Sequence, residues 1–121
     1  METIASLFKK RFPEPTAIQH KAMPVLLQGK NALLVAPTGS GKTEAALLPV
    51  LEMLHGKPGI SCLYITPLRA LNRDMKKRMD WWCEHAGVTH GVRHGDTSVS
   101  ERGKQRASPP QLLIVTPETL Q

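Results

Sequence analysis

The residues whose types and spacing carry chemistry run from position 36 to 43: Ala36-Pro37-Thr38-Gly39-Ser40-Gly41-Lys42-Thr43. Gly39 and Gly41 accept backbone angles that turn successive N–H groups to one side, as an anion requires of a loop. Lys42 supplies a charge that reaches the β- and γ-phosphates of a nucleotide, and the Thr43 hydroxyl is a ligand for Mg²⁺. A phosphate-binding loop usually opens with glycine six residues before its lysine, and here Ala36 takes that place. A methyl group is the smallest possible change, so the loop is still expected to close.

Such a loop works between a strand and a helix, and both flanks fit. Ala32-Leu33-Leu34-Val35-Ala36 is an uninterrupted apolar run, expected as a strand buried on both faces. From Thr43 to Leu54, Ala46, Leu47, Val50, Leu51 and Leu54 fall at helical spacing. Pro49 is expected to kink or adjust that helix. Upstream, residues 3–12 form a short amphipathic start, Pro13 and Pro15 break the chain, and Thr16 opens a helix to about Ala22. Pro24 restarts it, and Gln28-Gly29-Lys30 turns into the strand. The Gln19 amide can accept from the exocyclic amine of adenine and donate to N7, a pairing that guanine does not match. Phe12 is a candidate for stacking on the base. Without a nucleotide, Gln19 reads as an ordinary polar residue on a surface helix.

Past the connector Gly56-Lys57-Pro58-Gly59, residues 60–66 read as a second buried strand ending in Thr66-Pro67. The next helix carries Leu71, Met75, Met79, Trp82 and Ala86 on a core stripe, and Lys76-Lys77-Arg78 as a solvated face. Residues 88–93 give a short third strand, followed by the loop 93–98 and a basic helix capped by Ser98 or Ser100. His94 and Asp96 lack a third nearby ligand and do not read as a metal site. Residues 112–116 are a fourth buried strand, again ending in Thr-Pro (Thr116-Pro117). In open parallel α/β sheets, ligands sit outside the carboxyl ends of strands, so both Thr-Pro loops are expected on the edge that carries the phosphate loop. Threonine hydroxyls and helix-start N–H groups suit sugar-phosphate contacts without sequence readout.

The chain has 121 residues, at most one domain, with 16 Lys plus Arg against 10 Asp plus Glu and a formal net charge of +6. That excess favours an anionic partner. Nothing reads as a transmembrane segment or signal peptide, and Cys62 and Cys83 lack metal-site spacing. They read as packing residues of a reduced, cytoplasmic protein.

The segment 12–19, the loop A-P-T-G-S-G-K-T, T-P-L-R-A-L and T-P-E-T-L together resemble the first half of a superfamily 2 helicase. Segments 43–46, 67–72, 93–97 and 108–110 make the likeness closest to the large helicase-related (Lhr-type) proteins. The resemblance implies an α/β fold, a three-layer RecA-like P-loop domain with a parallel sheet, incomplete at its C-terminal end. Residues 1–30 would be a lead-in similar to the adenine-reading Q motif, and 31–121 the first part of the ATP-binding domain. It implies ATP and Mg²⁺ as cofactors. Phe12, Thr16, Gln19, Pro37, Thr38, Gly39, Ser40, Gly41, Lys42, Thr43 and Glu44 would hold the nucleotide, Lys42 and Thr43 acting in catalysis and Thr43 on the metal. Thr66, Pro67, Leu68, Arg69, Arg93, His94, Gly95, Thr116, Pro117 and Glu118 would lie along a single-stranded or forked DNA, with 3′-to-5′ unwinding. RNA, or an RNA–DNA hybrid, and a stand-alone ATP-binding module are the alternatives. The family's Asp-Glu motif and second RecA-like domain do not occur among these 121 residues. The chain alone is therefore expected to bind nucleotide without hydrolysing it or unwinding.

Overall fold

A computed structural model describes residues 4–11, 14–37, 39, 41–95 and 97–120. Phe12, Thr38, Ser40 and Asp96 lie outside the described residues. The chain divides into two compact units, Met1–His55 and Gly56–Gln121.

The first unit is helical: α1 (Ile4–Arg11), α2 (Ala17–Leu27) and α3 (Lys42–Leu54). The α2 and α3 helices pack on each other, and Ala22 of α2 together with Ala45, Leu48 and Leu51 of α3 is buried. The expected restart at Pro24 does not occur; α2 runs through it to Leu27. Proline removes one donor there, and the tertiary packing of α2 on α3 outweighs that local loss. Pro49 likewise sits inside a continuous α3, buried. Residues 30–37 form no strand, which corrects the expectation for 32–36. Leu33 is 89% and Val35 79% exposed. A parallel strand exists only through ladder bonds to a neighbour, and none of the described residues supplies one to this run.

The second unit holds a three-stranded parallel sheet, order β1-β3-β2, from β1 (Cys62–Ile65), β2 (His90–Arg93) and β3 (Leu112–Val115). The chain is thus α/β with a parallel sheet, as its pattern foretold. Central β3 is buried throughout, since neighbours flank it on both sides. Edge strand β1 is not the fully buried strand expected: Leu63 and Ile65 face outward while Cys62 and Tyr64 are half-buried. The α4 helix (Arg73–Ala86) buries Met79, Trp82, Cys83 and Ala86, so the Met and Trp stripe is core, and Lys76 and Lys77 are exposed. Asn72 caps α4 by accepting from Met75 N–H, and left-handed Gly87 (φ 72°) ends it. The last helix, α5 (Val99–Ala107), starts from Ser98, whose hydroxyl accepts from Glu101 N–H.

Glutamine side chains stitch this unit where ladders stop. Gln111 Oε1 accepts from Thr89 N–H at 3.1 Å, and its Nε2 donates to the Lys57 carbonyl at 2.7 Å. Gln105 Nε2 donates to the Val92 carbonyl at 2.9 Å, fixing α5 on β2. Burial pushes the Cys83 thiol up to about 12, with the nearby Asp80, Glu84 and Cys62 charges adding to it, and pushes Cys62 up as well. Both thiols stay protonated at neutral pH.

Candidate nucleotide and nucleic-acid sites

Thr16 caps α2 and sets the geometry of the first site. Its hydroxyl accepts from Gln19 N–H at 3.4 Å, while Gln19 Oε1 accepts from Thr16 N–H at 2.8 Å, a reciprocal capping box. That fixes the Gln19 side chain, which is only 2% exposed. Its remaining Nε2 donates to the Gly41 carbonyl at 3.2 Å, across 22 residues of sequence. Gly39 and Gly41 both take φ 83°, the left-handed region open to glycine, and Gly41 is the residue on which α3 begins. A β-carbon at Gly41 would lie 2.4 Å from Gln19 Nε2, so this glycine answers both to its own φ and to the glutamine beside it.

The α3 helix starts at Lys42, which is exposed, with Thr43 half-buried behind it. The N–H groups of the first helical turn have no partner within the helix and gather its positive partial charge. A loop with two left-handed glycines, a helix start, a projecting lysine and a hydroxyl next to it can take a phosphate with its divalent cation. Glu44, in the first turn of α3, is buried. Pro37 is exposed ahead of the loop. The Gln19 amide is engaged by Thr16 and Gly41 through one bond at each of its two polar atoms, leaving a second lone pair on Oε1 and a second hydrogen on Nε2. Sequence spacing gave no signal for the Gln19–Gly41 bond. The Thr16/Gln19 pair at N-cap and N3 was the one local clue, because it is a capping-box pattern.

The second group of residues lies at the carboxyl ends of the sheet. The register places Ile65 beside Val115, and Thr66 N–H donates to the Val115 carbonyl at 3.0 Å, so the two Thr-Pro loops leave side by side. Each turns into a short 3₁₀ segment, Leu68–Ala70 and Pro117–Leu120, rather than a helix. Thr116 Oγ1 lies 2.8 Å from Thr119 Oγ1, closing the second turn. Leu68, Arg69 and Glu118 are exposed, whereas Thr66 and Thr116 are buried. Register also places Arg93 beside Val115 on the other side. Among the described residues the Arg93 Nε is buried without a hydrogen-bond partner, and His94 N–H donates to Thr97 Oγ1 at 2.8 Å. The His94 and Thr97 carbonyls accept from Arg102, at 2.9 and 3.2 Å. Parallel pairing thus gathers residues 66–69, 93–95 and 116–118 at one edge of this sheet, with Gly95 exposed among them.

No helix among the described residues is long and apolar enough to cross a membrane. Residues 16–121 match the family model described as DEAD/DEAH box helicase. The chain is 37% identical to the ATP-dependent helicase Lhr-Core of Sulfolobus acidocaldarius, over 96% of its own length and 15% of that protein. It is 35% identical to the Lhr helicase/uracil glycosylase of Escherichia coli, over 93% of this chain and 9% of that one. Among solved structures it is similar to Mycobacterium smegmatis helicase Lhr bound to ssDNA and AMP-PNP. There the TM-score is 0.82 and the identity 37%, covering 97% of this chain and 17% of the other. It is also similar to the DUF1998 helicase MrfA bound to DNA and AMPPNP, with a TM-score of 0.83 and 29% identity, over 99% and 17% of the two chains. The chain therefore spans a sixth or less of these relatives.

Proposed function

This chain belongs to the DEAD/DEAH box helicase family and is similar in sequence to Lhr-type members, and from that premise we propose a division of labour between its two sites. The chain is the N-terminal ATP- and nucleic-acid-binding part of an ATP-dependent 3′-to-5′ DNA helicase. The observation that carries the nucleotide half is the loop with left-handed Gly39 and Gly41 at the start of α3. Lys42 binds the β- and γ-phosphates, the Thr43 hydroxyl holds Mg²⁺, and the N–H groups of the first turn of α3 take the phosphate oxygens. When bound, Mg²⁺ neutralises charge on the phosphates. Single-stranded DNA runs across the strand-end loops, with Arg69 and Arg93 on its phosphates. Hydrolysis and unwinding belong to the whole protein, because phosphoryl transfer needs further charged groups around the phosphate.

A thermal melt with and without Mg-ADP, beside Lys42→Ala, tests the nucleotide half. A ligand that binds only the folded chain stabilises it by about 2.7 kcal/mol at a hundredfold excess over Kd. The expected result is an upward shift in the native chain and none in the variant, whose unliganded melt is unchanged because Lys42 is exposed. A shift that survives Lys42→Ala would remove the phosphate assignment.

A further inference from the structure

Arg102, on α5, carries the loop that follows β2, and neither its type nor its spacing marks it in the sequence. Its Nε donates to the Thr97 carbonyl at 3.2 Å and its Nη2 to the His94 carbonyl at 2.9 Å. The same two residues are bonded to each other. Thr97 N–H donates to the His94 carbonyl at 3.0 Å, and His94 N–H donates to Thr97 Oγ1 at 2.8 Å. The planar guanidinium fork thus spans both ends of one turn, a geometry that a lysine ammonium does not reproduce. Its helix is seated in turn by Gln105, whose Nε2 donates to the Val92 carbonyl of β2 at 2.9 Å. The two Thr-Pro loops are aligned by the ladder, whereas this third loop is held from α5 by a side chain.

That clamp decides what the turn offers at the carboxyl edge of the sheet. Bare carbonyl oxygens repel a phosphodiester, whereas backbone N–H groups attract it. Arg102 draws the His94 and Thr97 carbonyls to itself, so their negative ends are engaged on the α5 side. Gly95 stands exposed within the turn. Its φ is not left-handed, and among the described residues no atom beyond its chain neighbours lies within 4 Å of where a β-carbon would stand. Neither torsion nor packing asks for glycine there, and the space it leaves admits the backbone of another molecule. Resting on the strand-binding reading above, we propose that Arg102 is a positioning residue for the nucleic acid. It holds the turn at Gly95 open to a sugar-phosphate of the single strand without itself touching that strand.

The test uses the 121-residue chain and fluorescently labelled oligo-dT, read by anisotropy. Arg102→Lys keeps the charge but not the fork, and is expected to bind about tenfold more weakly, the equivalent of one hydrogen bond to a charged group. Gly95→Ala is expected to melt like the native chain, since its methyl group meets nothing, and to lose a similar factor in affinity. Because both act through one turn, the double variant should bind like the singles. In proton–nitrogen correlation spectra the Gly95 amide should shift when oligo-dT is added to the native chain and stay in place in Arg102→Lys. If Arg102 lay on a phosphate, lysine would keep the affinity; if it served the fold alone, the two losses would add. Either result overturns the proposal. Should Arg102→Lys fail to fold, Thr97→Val loosens the same turn by removing the hydroxyl that takes His94 N–H, and native affinity in that variant overturns the proposal as well. A native chain that does not bind oligo-dT overturns the strand path, and the role of Arg102 with it.

Discussion

The phosphate loop and the strand-end loops are both short turns that must hold backbone groups in place, yet the molecule holds them by opposite means. In the first unit, among the described residues, the Gln19 side chain bonds the loop at Gly41 and two glycines take left-handed torsions. Gln19, itself locked by Thr16, carries a single bond to the Gly41 carbonyl. In the second unit the loops leave parallel strands already in register, and the ladder aligns Thr66 and Thr116 whatever side chains follow them. A side-chain latch can be removed by one substitution. A backbone ladder cannot, so single substitutions in the two regions should fail differently.

The largest effect is expected at Gly41. In Gly41→Ala the left-handed φ alone costs about 1–2 kcal/mol, and the new β-carbon would have to displace Gln19 Nε2 from 2.4 Å. Both the melting temperature and the Mg-ADP shift should fall together. If only nucleotide binding falls, the latch is not part of the fold.

Gln19→Ala comes next. It removes one of the two donors to the Gly41 carbonyl, which keeps Ala45 N–H, and leaves the Thr16 N–H without its Gln19 partner, at about 1–3 kcal/mol by the cost of an unmade hydrogen bond. Stability should drop, and affinity for ATP and GTP should be measured in both proteins. A narrowed preference for ATP would assign base reading to Gln19 as well. A preference that does not move would confine Gln19 to holding the loop through its bonds to Thr16 and Gly41.

Arg69→Ala should be the mildest. Arg69 is exposed on a turn positioned by β1, so the melt should not change. Single-strand DNA binding should weaken, and the salt dependence of log K should flatten by about one phosphate contact, a slope change of roughly 0.7. An unaltered slope would take Arg69 off the path, and a lower melting temperature would break the contrast between the two regions.

Much of this was legible before any fold was known. The phosphate loop reads directly from Gly39, Gly41, Lys42 and Thr43, because left-handed torsions, a helix start and a charge are properties of residue type and spacing. The helical stripe of α4 and the cap of α5 at Ser98, one of the two serines the sequence offered, are likewise local. The apolar run 32–36 shows where such reading stops. Its composition says what a buried strand would be made of, but a ladder to a neighbour makes a strand, and residues 30–37 join none among the described residues. The half-exposed face of β1 has the same cause, since burial there depends on what lies over Leu63 and Ile65.

By itself, then, the sequence determined the chemistry of the loop, the core stripe of α4 and the parallel α/β character of the second unit, because each follows from torsional freedom and period. Only the tertiary structure decided that Gln19 holds Gly41, that Gln111 binds Thr89 and Lys57, and that His90 donates to Asp80. Those bonds join residues from 10 to 54 positions apart, and no local preference specifies a partner at that distance. The packing of whole elements brings them together, and only then does the chemistry of each pair take effect.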